Sequence, residues 1–297
     1  MAEATATAQR TLVITRVFDA PPRLVFNAWS KPEQLVRWFG PNNFTVPACE
    51  QEFREGGTYR FCMHAPDGGD HWVWGEYREI SEYDRLVFTW VRQDDKSKPW
   101  VDNVVTLTFE EQDGKTVFTL HHALFDTPEF RDEHEGGWSE CMDRLGAFVS
   151  TIDREIITIR IINTPRERVF KAWTDPDILS RWWGPKGFTN TFHTFELRPD
   201  GIWDFTMHGP DGTNYHNTSV FERIEAPTLL VFNHLKPMHR FHVTVHFEDL
   251  GDRTRIEWHM LHPTVEECDR VRGFVPTANE ENLDKLESEL NSKTLEP

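Results

Sequence analysis

The chain is expected to fold as an α+β protein built from two tandem copies of one unit, and three observations carry that expectation. The stretch Val25-Phe-Asn-Ala-Trp-Ser-Lys-Pro-Glu-Gln-Leu-Val-Arg-Trp-Phe-Gly-Pro41 returns as Val169-Phe-Lys-Ala-Trp-Thr-Asp-Pro-Asp-Ile-Leu-Ser-Arg-Trp-Trp-Gly-Pro185. After this motif, apolar and polar residues alternate with period two between clusters of turn residues, as half-buried strands do. Each copy then closes on a segment with apolar residues at helical spacing, Trp138 to Val149 and Asn279 to Leu290.

In the first copy, Thr11 to Phe18 alternates as a strand and Ala20-Pro-Pro22 ends it. Arg23 to Ser30 sets Val25, Phe26 and Trp29 at helical spacing. Pro32 stands in the first turn of the next helix, where its missing N–H costs nothing, and that helix stops at Gly40-Pro41. From Val46 to Phe125, turn chemistry at Gly56-Gly57, Asp67-Gly-Gly69, Glu82-Tyr-Asp84, Asp94 to Pro99 and Asp113-Gly114 cuts six strands. Alternation places Tyr59, Phe61 and Met63 on one face, likewise Leu86, Phe88 and Trp90, then Val105, Leu107 and Phe109, then Phe118, Leu120, His122 and Leu124. These are the inward faces.

The second copy opens at Arg154 to Ile162, almost without a linker, and its strands recur at Thr189 to Leu197, Ile202 to His208, Tyr215 to Ile224, Thr228 to Leu235, His239 to Glu248 and Thr254 to Leu261. Phe26 to Phe170 and Trp38 to Trp182 give an offset of 144, which falls to 138 past His234 because the excursion Asp94 to Trp100 is shortened. Leu283-Asp-Lys-Leu286 echoes Met142-Asp-Arg-Leu145 in the last helix.

A formal charge of −17 repels phosphate backbones and anionic lipid, so neither nucleic acid nor a membrane surface is an expected partner. No apolar run approaches the roughly 20 residues that span a bilayer, and Met1 to Gln9 lacks the basic start and apolar stretch of an export signal; a cytoplasmic home is expected. Cys49, Cys62, Cys141 and Cys268 have neither zinc-site pairing nor the density of a disulfide scaffold. Cys49 and Cys62 flank the Gly56-Gly57 turn and face each other only if the hairpin register allows it. With 12 Trp and 22 Phe, the chain holds enough rings to line a cavity as well as a core.

The repeated motif, with its adjacent aromatics Trp38-Phe39 and Trp182-Trp183 before Gly-Pro, resembles the signature of the Hsp90-ATPase-activator-like (AHSA1-like) branch of the START/SRPBCC helix-grip superfamily. The resemblance covers nearly the whole chain, as residues 10–151 and 154–293. It implies tandem helix-grip (START/Bet v 1-like) domains, each a curved antiparallel sheet wrapped around the long C-terminal helix with an apolar cavity between them. In the second copy, Thr277-Ala-Asn279 replaces Gly136-Gly-Trp138 and few bulky residues face in, so its cavity is expected to be altered or filled.

The resemblance and the inward faces together mark Trp38, Phe39, Phe61, Met63, Phe88, Trp90, Leu107, Leu120, His122, Trp138 and Met142 as pocket residues of the first copy. Trp182, Trp183, Trp203, Phe205, Met207, Phe232 and Trp258 are their counterparts in the second. Arg37 and His122 are candidates for polar ligand contacts, with a structural ion pair and a satisfied core histidine as the plainer alternatives. His64 and His208 sit before Pro-Asp-Gly turns on the outer face. The acids Glu76, Glu79, Asp204 and Glu222 point outward by parity and have no matching nucleophile. His121 and His122 face opposite sides of one strand, and neither His-x-x-x-His nor Cys-x-x-Cys occurs, so no metal and no cofactor are expected.

Three functions are compatible with this. The first is non-catalytic binding of a hydrophobic or aromatic small molecule in at least the first cavity, with Trp138→Ala and Phe39→Ala weakening uptake more than folding. The second, implied by the resemblance, is contact with an Hsp90-type chaperone. The third, also implied by it, is a polyketide-cyclase-like enzyme, which needs an acid/base pair in the pocket where alternation offers only His122.

Overall fold

A computed structural model describes residues 10–92, 103–123, 125, 127–236 and 240–292, and its contacts divide the chain after Ile152 into two units. The excursion Asp94 to Trp100, Leu124 and His239 lie outside the described residues.

In the first unit the leading alternation becomes β1 (Leu12–Phe18), with Leu12, Ile14 and Phe18 buried and Val13 and Val17 exposed. Two short helices follow, α1 (Pro22–Ser30) and α2 (Pro32–Trp38), each begun by a proline in its first turn. Then come β2 (Thr45–Gln51), β3 (Thr58–His64), β4 (Asp70–Ser81), β5 (Arg85–Thr89), the two-residue β6 (Val91–Arg92), β7 (Val104–Gln112), β8 (Lys115–Ala123) and α3 (Pro128–Val149). The strands are antiparallel in the order β1-β8-β7-β5-β4-β3-β2, with β6 beside β4. Pairing the first strand with the last, Leu12 opposite His122, brings the inward faces of β1 and β8 under the helices.

The terminal helix α3 starts at Pro128 rather than near Trp138. Thr127 caps it, its hydroxyl accepting from the Phe130 N–H at 3.2 Å, and the charged first turns are a solvated helix face rather than a loop. The buried stripe of α3 runs His134, Trp138, Cys141, Met142, Leu145, Phe148 and Val149. Each large apolar side chain removed from water here stabilises by about 1.5–3 kcal/mol.

The second unit repeats this plan as β9 (Glu155–Ile162), α4 (Arg166–Thr174), α5 (Pro176–Trp182), β10 (Thr189–Phe195), β11 (Ile202–His208), β12 (Asn214–Glu225), β13 (Leu229–Lys236), β14 (Phe241–Asp249) and β15 (Thr254–Leu261). Its strand order is β10-β11-β12-β13-β14-β15-β9. Where the first unit has one long helix, the second has two, α6 (Val265–Arg272) and α7 (Val275–Asn291). The expected helix from Asn279 is therefore longer, and a separate one precedes it. Thr264 caps α6 through the Glu267 N–H at 3.2 Å. Gly273, a poor helix former, follows its last residue, and Phe274 takes a non-helical φ of −130°. Pro276 then tolerates only the first turn of a new helix.

The outer face of the second sheet carries a charged trio. Burial pulls the His259 imidazole toward neutrality, but Nδ1 donates to Glu155 Oε1 at 2.8 Å and Nε2 to Glu257 Oε2 at 3.4 Å, and these carboxylates raise its pKa to about 9. The His259 hydrogen bond, opposed by burial and aided by Arg255, lowers Glu257 to about 2. A raised histidine contributes stability below its unfolded value near 6.5 and loses it as pH rises through about 9; a lowered carboxylate loses its contribution as pH falls through about 2. The second unit is therefore expected to weaken on alkaline titration from about 6.5 to 9, by an amount on the order of 2 kcal/mol. His259→Gln should flatten that limb in thermal melts, and an unchanged slope would contradict the assignment.

Candidate ligand-binding site

The aromatic pair in each motif divides its labour. Neighbours on a helix diverge by about 100°, and the first ring of each pair turns into the core. Trp38 Nε1 donates to Ala28 O at 3.0 Å and Trp182 Nε1 to Ala172 O at 2.9 Å, locking α1 to α2 and α4 to α5. The second ring, Phe39 or Trp183, lies just past the helix and lines a cavity. Directly after it, Gly40 and Gly184 hold φ of +101° and +95°, left-handed conformations that any side chain would strain.

A cation from the last helix fixes each of these turns. Arg144 Nη1 donates to the carbonyls of Gly40, Pro41 and Phe44 at 3.0, 2.8 and 3.0 Å. Lys285 Nζ does the same for Gly184 and Phe188 at 2.9 and 3.0 Å, and burial lowers its pKa. The echo between Met142-Asp-Arg-Leu145 and Leu283-Asp-Lys-Leu286 was the sequence signal for this clamp.

In the first unit the cavity measures about 200 Å³ and is lined by Phe39, Pro41, Phe44, Met63, His71, Trp90, Arg92, Glu133, His134, Gly137, Trp138 and Cys141. Of the pocket residues expected there, Phe39, Met63, Trp90 and Trp138 meet around it. Trp38, Phe61, Phe88, Leu107, Leu120 and Met142 are buried in the surrounding core instead, because ring-on-ring packing closes the space over them. Phe39 and Phe61, for example, sit 4.7 Å apart edge to face.

His122 is fully buried and outside the lining. Its Nδ1 accepts from Trp138 Nε1 at 3.1 Å and Nε2 meets the Asn103 side chain. Burial, with His134 and His121 nearby, holds its pKa well below the ordinary value, so it is a neutral core histidine that orients Trp138. Arg37 also stands outside the lining. Its guanidinium covers the Phe148 ring at 4.8 Å, while its counterpart Arg181 pairs with Glu289 at 2.6 Å; both tie the second helix to the last one.

The second cavity is larger, about 380 Å³, so of the two expected outcomes, altered or filled, it is altered rather than filled. Trp183, Trp203, Phe205, Met207, Phe232 and Trp258 all line it, and only Trp182 of the expected set does not. The same substitutions that thinned the helix opened the space. Asn279 stands where Trp138 stands, and Asn282 where Cys141 stands. The break before α7 adds Val271, Phe274 and Val275 to the wall, with Phe274 56% exposed.

The wall is also more polar, a feature the sequence reading missed. Asn217 and Ser219 of β12 replace Val73 and Gly75, and His234 replaces Trp90. In the first unit Gly75 lies under the Tyr59 ring, whose hydroxyl donates to Thr89 O at 2.6 Å; a Cβ on Gly75 would come within 2.0 Å of that carbonyl. In the second, Trp203 opposite Ser219 has no hydroxyl to place there. Ser219 Oγ lies 3.2 Å from His234 Nδ1. Asn279 Nδ2 donates to Thr158 Oγ1 at 3.0 Å, and Asn282 Oδ1 accepts from the Gly184 N–H at 2.6 Å. Two lining rings, Trp203 and Trp258, keep a buried indole N–H with no acceptor among the described residues, as does Trp90 in the first cavity. Alternation along β12, read as it was for the first copy, marks Asn217 and Ser219 as inward.

Elsewhere, His64 and His208 brace their hairpins through Asp70 at 2.7 Å and Asn214 at 2.6 Å. Cys49 lies opposite Phe61 and Cys62 opposite Ala48, so the two do not face each other, and all four cysteines are free. Among the described residues no helix is long and apolar enough to cross a membrane.

The family described as Activator of Hsp90 ATPase homolog 1-like protein matches this chain twice, over residues 19–150 and 163–291. The chain belongs to that family. The AHSA1-like chain is similar to several solved structures, each matching about half of it. One is a solution NMR structure of a protein from Arthrobacter aurescens, 27% identical over 48% of this chain and 89% of that one, with a TM-score of 0.46. A protein from Chromobacterium violaceum is 26% identical over 47% and 96%, at 0.42, and an AHSA1 protein from Silicibacter pomeroyi is 25% identical over 47% and 97%, also at 0.42. No curated protein matches. Two antiparallel sheets with their terminal helices, in tandem AHSA1-like units, fit the helix-grip fold and support a binding or chaperone-associated role in general terms.

Proposed function

We propose that this protein binds a hydrophobic or aromatic small molecule without covalent chemistry, and that the second unit is the principal chamber. The observation that carries the reading is the volume and lining of the second cavity. Small-molecule sites occupy roughly 300–1,000 Å³ and combine apolar walls with a few polar groups. The second cavity, at about 380 Å³, falls in that range, and the first, at about 200 Å³, falls below it. Affinity comes from apolar burial at about 25 cal/mol per Å². The indole N–H groups of Trp203 and Trp258, without an acceptor among the described residues, favour a ligand with a hydrogen-bond acceptor such as a carbonyl or phenol oxygen. His122, neutral and satisfied, lines neither cavity. We assign the protein to the cytoplasm on the same footing, four free thiols suiting a reducing compartment.

Native mass spectrometry of freshly purified protein tests this. A co-purified or added aromatic metabolite should appear as a bound mass and raise the melting temperature. Absence of any bound mass or thermal shift across such a set, together with stimulation of an Hsp90-type ATPase, would replace this reading with the chaperone-partner one.

A further inference from the structure

On β11, Asp204 and Thr206 alternate with the cavity-lining Trp203, Phe205 and Met207, and so stand on the opposite, outer face of the second sheet. There Asp204 meets one histidine from each neighbouring strand. His193 of β10, Asp204 and His216 of β12 each offer a ligand atom, all within 4.8 Å of one another, the one such group among the described residues. His216 Nε2 lies 2.9 Å from Asp204 Oδ1. Asp204 Oδ2 accepts from Thr218 Oγ1 at 3.0 Å, and His193 Nε2 lies 2.9 Å from Thr206 Oγ1.

Comparison of the two units shows how the group was assembled. At the 144-residue offset its members correspond to Cys49, Arg60 and Trp72, where the Arg60 guanidinium covers the Trp72 ring at 3.9 Å. That arrangement repels a cation. In the second unit all three positions carry donors, and the strand irregularity has moved as well. The slip of β2 against β3 falls between Thr45 and Ala48, so Cys49 pairs regularly with Phe61. The slip of β10 against β11 falls between Phe192 and Thr194, leaving His193 as the extra residue of a bulge. A bulge bends the strand and re-aims the side chain it carries.

We propose that His193, Asp204 and His216 form a binding site for a divalent transition-metal ion of the zinc class, with the remaining coordination positions open to water. Two imidazoles and one carboxylate suit such ions. Bonds of about 2.0–2.2 Å require donor atoms roughly 3.3 Å apart in a tetrahedron. The Asp204–His216 pair is already near that separation, and His193 reaches it by exchanging its Thr206 hydrogen bond for the metal. Thr218 holds the carboxylate from behind, as outer partners of metal ligands do. The net charge of −17 favours cation uptake. Spacing rules for zinc motifs miss the site because its ligands come from three strands rather than one helix or one turn.

The test is calorimetric titration of the full chain, made without a polyhistidine tag and stripped with chelator, against zinc chloride at about neutral pH. One saturable site is expected, weakened by roughly tenfold or more in His193→Ala and in His216→Ala, and unchanged in His242→Ala, whose half-buried imidazole pairs with Glu222 elsewhere on the sheet. His193→Gln, which can keep the Thr206 hydrogen bond, repeats the test should the alanine variants melt lower. Absence of saturable uptake, or uptake that survives both the His193 and His216 substitutions, overturns the proposal.

Discussion

Trp138→Ala is expected to destabilise the first unit by about 3–5 kcal/mol, the range for removing a buried aromatic side chain, and to show as a marked fall in that unit's unfolding transition. Trp138 is 4% exposed and joins the helix α3 to the whole aromatic cluster. Its ring centroid lies 4.9 Å from that of Trp90, 6.0 Å from Phe39 and 6.2 Å from Trp29. Its indole N–H satisfies His122, which is fully buried. Truncation thus leaves a void and removes a hydrogen bond from a desolvated imidazole. The sequence alone suggested that this change weakens ligand uptake more than folding; the packing adds a large folding cost. Phe39→Ala, which also strips a ring from the cavity wall, belongs with it. If the first unit unfolds no earlier in Trp138→Ala than in the parent protein, the ring network is not what holds α3 in place.

Acid titration gives the same histidine a second signature. His122 is buried neutral, with its pKa held well below 6.5. A lowered histidine contributes its stability above the unfolded value and loses it as pH falls below about 6.5. The first unit is therefore expected to weaken in acid through His122, and the second has an alkaline limb through His259.

The duplication, the order of elements and the inward faces were legible in the sequence because each rests on local regularity: a repeated motif, period-two alternation and turn chemistry. The strand Ile202 to His208 and the strand Thr254 to Leu261 have the bounds that alternation predicts. What alternation cannot tell is whether an inward residue meets a cavity or another ring. Trp38 and Phe39 are adjacent and equally aromatic, yet a carbonyl acceptor at Ala28 draws one into the core and leaves the other on the wall. Leu107 and Leu120 have the parity of pocket residues and lie fully buried in the core, outside the cavity lining. The start of α3 was missed for a different reason. A helix whose first turns face water carries no apolar stripe there, and its only local marks are Thr127 and Pro128 at the cap.

The size of the second cavity was the hardest feature to read, because small residues facing inward fit either a collapsed interior or an open one. The break between α6 and α7 decides it: with no continuous helix to settle into the space, the wall is completed by Phe274 and Val275 at the cavity rim. The polar replacements Asn217, Ser219, His234 and Asn279 then have a common meaning. Each adds a hydrogen-bonding group beside the void, and Asn217, His234 and Asn279 do so in place of the apolar Val73, Trp90 and Trp138. In a core that merely lost packing, such groups would be costly; beside a bound molecule they orient it.

Asn279→Trp puts that argument to its most direct test. The substitution restores on α7 the ring that Trp138 supplies on α3, and it is expected to abolish ligand uptake by the second unit at a cost in stability of no more than about 1–3 kcal/mol. Asn279 is 4% exposed and lines the cavity, so a ring in its place must project into the space a ligand would occupy. The hydrogen bond to Thr158 is lost, and apolar burial of the ring in the cavity offsets that loss. The readout is the bound mass in native spectra of wild type and variant, with melting temperatures measured in parallel. A ligand mass that persists undiminished in a well-folded Asn279→Trp protein would move the binding site out of this cavity altogether. Loss of the mass together with loss of the fold would instead show that the ring cannot be accommodated, in which case Ser219→Phe, entering from the sheet side, makes the same occlusion without touching α7.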